Sequence, residues 1–290
     1  MIDQAHDLSW SISNRMEFIE FRLFWEDHVN RADLMETFDI SRNQATHDIN
    51  RYLTLAPENM AYNKRLRTYE PTKSFAPRFL KPEAGGYLSQ LQSVAASILP
   101  EDVAWIDELP EFDATPLPVR GVDAQVLQHI LRACRQNLAL EIFYQSLSRP
   151  EPMWRWIAPH AIAFDGFRWH ARAWCEIDHA YKDFLLSRMR EVRGVRETQV
   201  VGDNDLNWHS RIDIKIEPHP ELSPSQKEVI AQDYGMEGGV GIISVRKAMA
   251  YYALKRLGLD TDPNARNASD QHIVLANPVE VYEALGREPR

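Results

Sequence analysis

Large apolar residues crowd positions 14–28 (NRMEFIEFRLFWEDH) and predict a buried helix near the start of the chain. Residues 31–38 (RADLMETF) read as a second, short helix with Leu34, Met35 and Phe38 facing inward, and Asp39-Ile40 as a tight connection. Ser41 opens a third helix. Gln44 stands three residues later, the spacing of a capping box, and Ala45, Ile49 and Leu53 recur every four residues as one buried stripe. Pro57 closes this region, and MAYNKRLRTYEP forms a two-stranded wing around Asn63-Lys64. The order predicts a winged helix-turn-helix over residues 1–70.

The pattern then loosens. Residues 71–120 read as a helical linker, with Pro71, Pro77, Pro82, Gly85 and Gly86, then a helix (YLSQLQSVAASIL), then a Pro-rich acidic segment. From Gly121, VDAQVLQHILRACRQN is helical and LALEIFYQSL is a strand. Asp165-Gly166 marks a hairpin between AIAF and RWHARAW, and KDFLLSRM is a further strand. Residues 121–201 thus form a helix followed by a small, strongly bent antiparallel sheet or barrel.

A third unit spans 202–290. RIDIKIEP alternates Ile212, Ile214 and Ile216 as a half-buried strand. SPSQKEVIAQDYGM is a helix capped by Ser223 with Pro224 at its first position, and VGIISV is a short strand. RKAMAYYALKRLGL is an amphipathic helix ending at Gly258, whose Ala248, Met249, Tyr252, Ala253 and Leu257 suit core or dimer contact, core being favoured. HIVLA and PVEVYEAL complete a small α/β module. The expected class is α+β multidomain.

The net charge of −9 argues against nucleic acid only if charge is spread evenly. It is not. Residues 1–40 carry three arginines against nine acids, a net of −6, whereas 41–69 carry five basic residues against Asp48 and Glu58, a net of +3. With Ala45, Ile49 and Leu53 inward, the outward face of the third helix holds Arg42, Asn43, Gln44, Thr46, His47, Asn50 and Arg51, with only Asp48 intruding. Together with Ser41 at the helix start, these are the groups that read base edges: Arg is bidentate to guanine, and Asn and Gln to adenine. Lys64, Arg65 and Arg67 of the wing suit phosphates, which add affinity without sequence information. A winged helix devoted to protein contact is the alternative.

Catalysis finds little support. His160, His170, His179 and Cys175 lack the C-x-x-C, H-x-x-x-H or H-E-x-x-H spacing of a metal site, and no nucleophile elbow occurs. Gly238-Gly239-Val240-Gly241 lacks the Lys and Ser/Thr of a phosphate loop. No catalytic residue, cofactor or metal is expected, with a nucleic-acid-processing enzyme the remaining catalytic alternative. Cys134 and Cys175 are distant and read as reduced thiols. No apolar run approaches bilayer length, and MIDQAHDLSW lacks the pattern of a signal peptide, so a cytoplasmic protein is expected.

EIFYQSLS, WIAPHAIAFDGFRWHARAWC and DFLLSRM resemble the WYL domain of bacterial regulators, and nearly the whole chain is similar to the BrxR/CapW type of WYL-domain regulator. PHAIAFDGFRWHARAWC is the most specific stretch; it holds Trp169-His170-Ala171 where the name-giving motif has Trp-Tyr-Leu. The resemblance implies an Sm-like, SH3-type β-barrel in the middle, a WCX-like C-terminal dimerisation module, and control of phage-defence genes. It further implies a repressor binding a palindromic double-stranded operator as a homodimer, and a nucleotide or oligonucleotide effector. The implied pocket comprises Tyr144, Ser146, His160, Arg172 and Arg188. Strand alternation has Tyr144 and Ser146 share a face of their strand, as do His170 and Arg172, and Phe184, Leu186 and Arg188. The alternative pairs Arg172 and Arg188 with Glu141, Glu176 or Asp183 and has His160 satisfy a turn carbonyl.

Overall fold

The computed structural model describes residues 9–100, 105–107, 109–115, 118 and 120–287. The chain divides into two compact units at Pro118/Val119. The N-terminal opening stretch and part of the Pro-rich acidic segment lie outside the described residues.

In the first unit, α1 (Trp10–Trp25), α2 (Arg31–Phe38) and α3 (Arg42–Leu55) precede the hairpin β1 (Met60–Asn63) and β2 (Thr68–Pro71). Asn30 caps α2: its side chain accepts the Ala32 and Asp33 amides while the Asp33 carboxylate accepts the Asn30 N–H. Asp39 ends that helix in the left-handed region (φ 47°), a conformation Asp tolerates, and this makes the turn into α3. The core gathers Phe18, Ile19 and Leu23 of α1, Leu34 of α2 and Ala45, Ile49 and Tyr52 of α3. Leu53, expected in the buried stripe, is only half-buried, and Tyr52 takes the deep position.

Gly85 and Gly86, read as connector ahead of the helix, lie in the first turn of α4 (Ala84–Ala95). The helix extends around them because its Tyr87 and Leu91 pack on Phe21 and Trp25 of α1, and tertiary burial outweighs a weak intrinsic preference. The linker helix thereby shares a core with α1.

The second unit begins with α5 (Ala124–Gln136), capped by Asp123, and a five-stranded antiparallel sheet. Its strands are β3 (Leu138–Tyr144), β4 (Met153–Phe164), β5 (Trp169–Cys175), β6 (Ala180–Leu185) and β7 (Met189–Glu197), in the order β6-β5-β4-β3-β7. Among the described residues no pairing joins β6 to β7, so of the expected sheet or barrel the open sheet is the one found, with β6 and β7 at its edges. One face packs α5 through Val126, Ile130 and Ala133 against Leu140, Ile142, Ile157, Ala171 and Ala173.

Two readings based on alternation also change. The first strand ends at Tyr144, leaving Ser146 in the following loop, where its hydroxyl pairs with Ser148 (2.7 Å). The KDFLLSRM strand stops at Leu185, and Leu186–Arg188 wind into a 3-10 turn, so Phe184, Leu186 and Arg188 do not share a strand face. Buried Leu186 faces the core and forces the chain to corner into β7.

The remainder comprises the short helix α6 (Leu206–His209), β8 (Arg211–Pro218), α7 (Pro224–Asp233), β9 (Gly241–Arg246), α8 (Ala250–Arg256), β10 (Ile273–Leu275) and α9 (Pro278–Ala284). The strands form an antiparallel sheet in the order β10-β8-β9. The expected helix over 246–257 begins as a 3-10 turn, and Ala250 and Leu254, not Ala248 and Met249, are its deepest residues. Among the described residues no helix is long and apolar enough to cross a membrane. Cys134 and Cys175 are free thiols; burial pushes the Cys134 thiol up to about 11.

Candidate nucleic-acid interface and buried polar centre

Helix α3 begins at Ser41, whose hydroxyl accepts the Gln44 N–H (3.2 Å). The capping box is only half made. Gln44 does not return to the cap but donates its side-chain amide to both carboxylate oxygens of Asp48 (3.1 Å each). Asp48 itself is wholly buried, against the expectation that it sits among the outward groups. It receives Arg15 Nε at 2.7 Å, so α1 neutralises the one acid of α3.

The exposed surface of α3 therefore carries no carboxylate. Ser41, Arg42, Asn43, His47 and Asn50 are exposed; Gln44, Thr46 and Arg51 are half-buried. Thr46 spends its hydroxyl proton on the Arg42 carbonyl (2.8 Å), and Gln44 is tied to Asp48, which leaves Arg42, Asn43, His47 and Asn50 as the groups free to reach outward. In the hairpin, Lys64, Arg65 and Arg67 are all exposed. Asn63 builds their loop: its Oδ1 accepts the Arg65 and Leu66 amides, and Arg67 adopts positive φ (58°). The arrangement offers hydrogen-bonding groups on a helix and bare cations on an adjoining loop, the division of labour between base and phosphate contact.

The implied effector residues fall into two groups. Tyr144 is buried, its phenol oxygen accepts the Leu185 N–H (3.2 Å), and its ring is covered by the buried Arg155 guanidinium at 5.5 Å. Ser146 and Arg188 are half-buried nearby, Gln145 N–H reaching the Arg188 carbonyl at 3.4 Å. His160 and Arg172 meet elsewhere, on Asp205. A β-bulge between Pro159 and Ala161 re-aims His160, and Gly202 lets the 202–205 turn close on it, since a Cβ there would stand 2.7 Å from the His160 side chain.

Asp205 organises this centre. It accepts Arg172 Nε (2.6 Å) and Nη2 (3.0 Å) and pairs with His160 Nε2 (3.1 Å), while Arg172 Nη1 reaches Asp183 (3.2 Å). Tyr252 of α8 donates to the other Asp183 oxygen (3.1 Å). Arg172 is thus saturated by two carboxylates, one of them the Asp183 of the alternative reading. Glu141 and Glu176 instead hold Arg193 and Arg196. Sequence reasoning missed Asp205 and Tyr252 as partners, because no local spacing links them to the sheet, and it also missed Arg155 of β4. Arg155 alone had a signal, a lone cation inside the apolar alternation of β4.

Burial lowers the His160 pKa despite its Asp205 partner, so folding favours the neutral imidazole. The unfolded chain takes the proton first, and acidification below about 6.5 therefore favours unfolding. In His160→Gln, which keeps a donor towards Asp205, the slope of unfolding free energy between pH 5 and 7 should shrink by up to about 1.4 kcal/mol per pH unit. Denaturant titrations across that range measure it, and an unchanged slope refutes the assignment.

The chain thus combines a winged helix with a separate helix-and-sheet half that carries a small terminal sheet, and its matches are to transcriptional regulators. Residues 11–93 match the BrxR transcriptional regulator winged helix-turn-helix domain, 125–193 the WYL domain, and 211–281 the BrxR transcriptional regulator C-terminal dimerization domain. The chain belongs to the CapW family. It is 37% identical to the DNA-binding transcriptional repressor CapW of Stenotrophomonas maltophilia, over 97% of this chain and 94% of that protein. It is 34% identical to the CapW repressors of Escherichia coli (strain KTE188) and Pseudomonas aeruginosa, over 95% of this chain and 92% of each.

Proposed function

We propose that this protein is a DNA-binding transcriptional repressor that reads its operator with α3 and clamps flanking phosphates with the β1–β2 wing. The observation that carries this is the acid-free outer surface of α3, made possible by burial of Asp48 against Arg15. The reading groups are Arg42, Asn43, His47 and Asn50, with Ser41, Gln44, Thr46 and Arg51 supporting the approach and Lys64, Arg65 and Arg67 on phosphate. Membership of a family with a C-terminal dimerization domain supports a homodimer, and a two-fold dimer calls for a palindromic site. The working division is a reading head at 1–70, a linker at 71–120, a sensing domain at 121–201 and a dimerisation module at 202–290. The protein acts in the cytoplasm on its own promoter and a neighbouring defence operon, and a nucleotide-type effector at the sensing half changes operator affinity. Of the implied effector residues, Arg172 and His160 already satisfy Asp205 and act as positioning groups, which leaves Arg188 for contact, with Ser146 available only once it gives up its bond to Ser148.

A gel shift with DNA from upstream of its own gene tests the reading. Arg42→Ala or Asn43→Ala should cost about 1–3 kcal/mol, selectively at individual base positions. Arg65→Ala should weaken all sequences alike and lower the salt slope by about one. Equal losses on cognate and random DNA for the α3 variants would show that the reading face lies elsewhere.

A further inference from the structure

The β4–β5 hairpin turns at Asp165–Arg168 and faces α8, with a cavity of about 280 Å³ between them. Asp165 shapes the turn. Its Oδ1 accepts the Phe167 and Arg168 amides (2.8 and 2.6 Å), and its Oδ2 meets Arg168 Nε and His170 Nε2 at 2.9 Å each. Burial alone would raise its pKa, but these hydrogen bonds outweigh it and hold the carboxyl at about 2. The charges of Asp165 and Arg168 are therefore spent on each other.

The other cations here are not. Lys255 and Arg256 line the cavity, and the Arg120 guanidinium stacks on its Phe167 wall at 4.8 Å. None of the three makes an ion pair among the described residues. Gly166 seats Arg256: its φ is +89°, and a Cβ there would lie 2.3 Å from Arg256 Nη1. Phe167 keeps 41% of its surface exposed. The opposite wall is Tyr252, whose ring lies 4.9 Å from His170 and whose hydroxyl enters the buried chain Asp183–Arg172–Asp205.

We propose that this cavity binds a mononucleotide, its phosphate held by Lys255 and Arg256 and its base laid against Phe167. A doubly charged phosphomonoester matches a cluster of unneutralised cations better than a monocarboxylate, and guanidinium forks fit phosphate oxygens. An exposed ring backed by an arginine offers a stacking platform to a flat heterocycle. The volume lies at the small end of ligand pockets and takes one base-and-phosphate unit, not a run of them. An occupant resting on Tyr252 touches the first member of the buried polar chain. This inference rests on the proposed nucleotide response and names its site, which differs from the Tyr144–Arg188 set.

The test is calorimetric titration of the full-length protein, without DNA, with the four ribonucleoside 5′-monophosphates, adenosine and inorganic phosphate. At least one monophosphate should bind tenfold or more tighter than adenosine or phosphate. Lys255→Glu/Arg256→Glu should weaken it at least tenfold. Gly166→Ala, which leaves surface charge unchanged, should weaken it several-fold by unseating Arg256. Thermal unfolding and the operator gel shift confirm that each variant is folded. Phosphate binding as tightly as every monophosphate, no monophosphate binding at all, or affinity surviving the double charge reversal each overturns the proposal. Survival in the double variant would leave a nucleotide-responsive regulator standing with its site elsewhere, whereas failure of the wild type to shift operator DNA would strike the repressor reading and leave these titrations interpretable.

Discussion

Glu20→Ala is expected to destabilise the N-terminal unit by about 3–5 kcal/mol, enough to leave the reading head largely unfolded at 37 °C. Glu20 lies on α1 with no exposed surface, and its carboxylate gathers four donors. Oε1 accepts the Tyr52 hydroxyl (3.0 Å), and the two oxygens together accept the backbone N–H groups of Arg78 (2.9 Å), Phe79 and Leu80 (2.7 Å each). Tyr52 is the largest fully buried side chain of α3 and also accepts Asn59 Nδ2 (2.9 Å), so one carboxylate fixes α1, α3 and the strap after the wing. Alanine leaves these donors without partners in a dry interior, and each unmade bond costs about 1–3 kcal/mol before water enters to offset part of it. Glu20→Gln keeps one acceptor oxygen and should lose roughly half as much. Denaturant unfolding measures the loss, and hydrogen exchange at the 78–80 amides locates it. Unfolding within 1 kcal/mol of wild type, or amides that stay protected, would show that the cage carries no stability.

The same carboxylate shows where sequence reading stops. Periodicity located α1, α2 and α3 and the wing, because an amphipathic stripe and a turn are local patterns. It placed Asp48 outside and left Glu20 unremarked, because whether an acid is buried depends on a donor far along the chain: Arg15 for one, the 78–80 backbone for the other. Gln44 shows the same limit at short range. Its spacing fits a capping box, yet its Nε2 donates to a buried carboxylate one turn onward, which holds the side chain away from the cap N–H that its oxygen would accept. Gly85 and Gly86 read as connector until Tyr87 and Leu91 are seen docked on α1.

In the second unit, the Asp-Gly turn was legible because its chemistry lies within four residues. The open edge strands were not, since closure depends on whether β6 and β7 meet. The candidate reading face was legible for a related reason, polar groups at helical spacing, whereas the pocket residues were known only by resemblance and separate into two places. Alternation failed at Ser146 and Arg188 because the strands carrying it end at Tyr144 and Leu185.

Asp205→Ala is the second large effect, expected to destabilise the C-terminal unit by about 3–5 kcal/mol. Asp205 is 1% exposed and Arg172 is 5% exposed, so deleting the carboxylate strands a guanidinium that keeps only Asp183. It also frees His160 Nε2 and removes the α6 cap contact to the Trp208 amide (3.3 Å). Arg172→Met/Asp205→Ala should recover part of the loss, because a buried pair replaced by apolar packing costs far less than one partner left alone. The coupling energy from the double-mutant cycle should be about 1–3 kcal/mol. Burial alone would raise the Asp205 pKa; the Arg172 bonds and charge overcome that and lower it, so its contribution is present above the ordinary aspartate range and fades as pH falls through it. The wild-type advantage over the variant should accordingly be flat from pH 5 to 8 and shrink in stronger acid. Additive single and double losses would mean that the two groups do not act as a pair. An advantage that grew on acidification would reverse the sign on which the charged state of Asp205 depends.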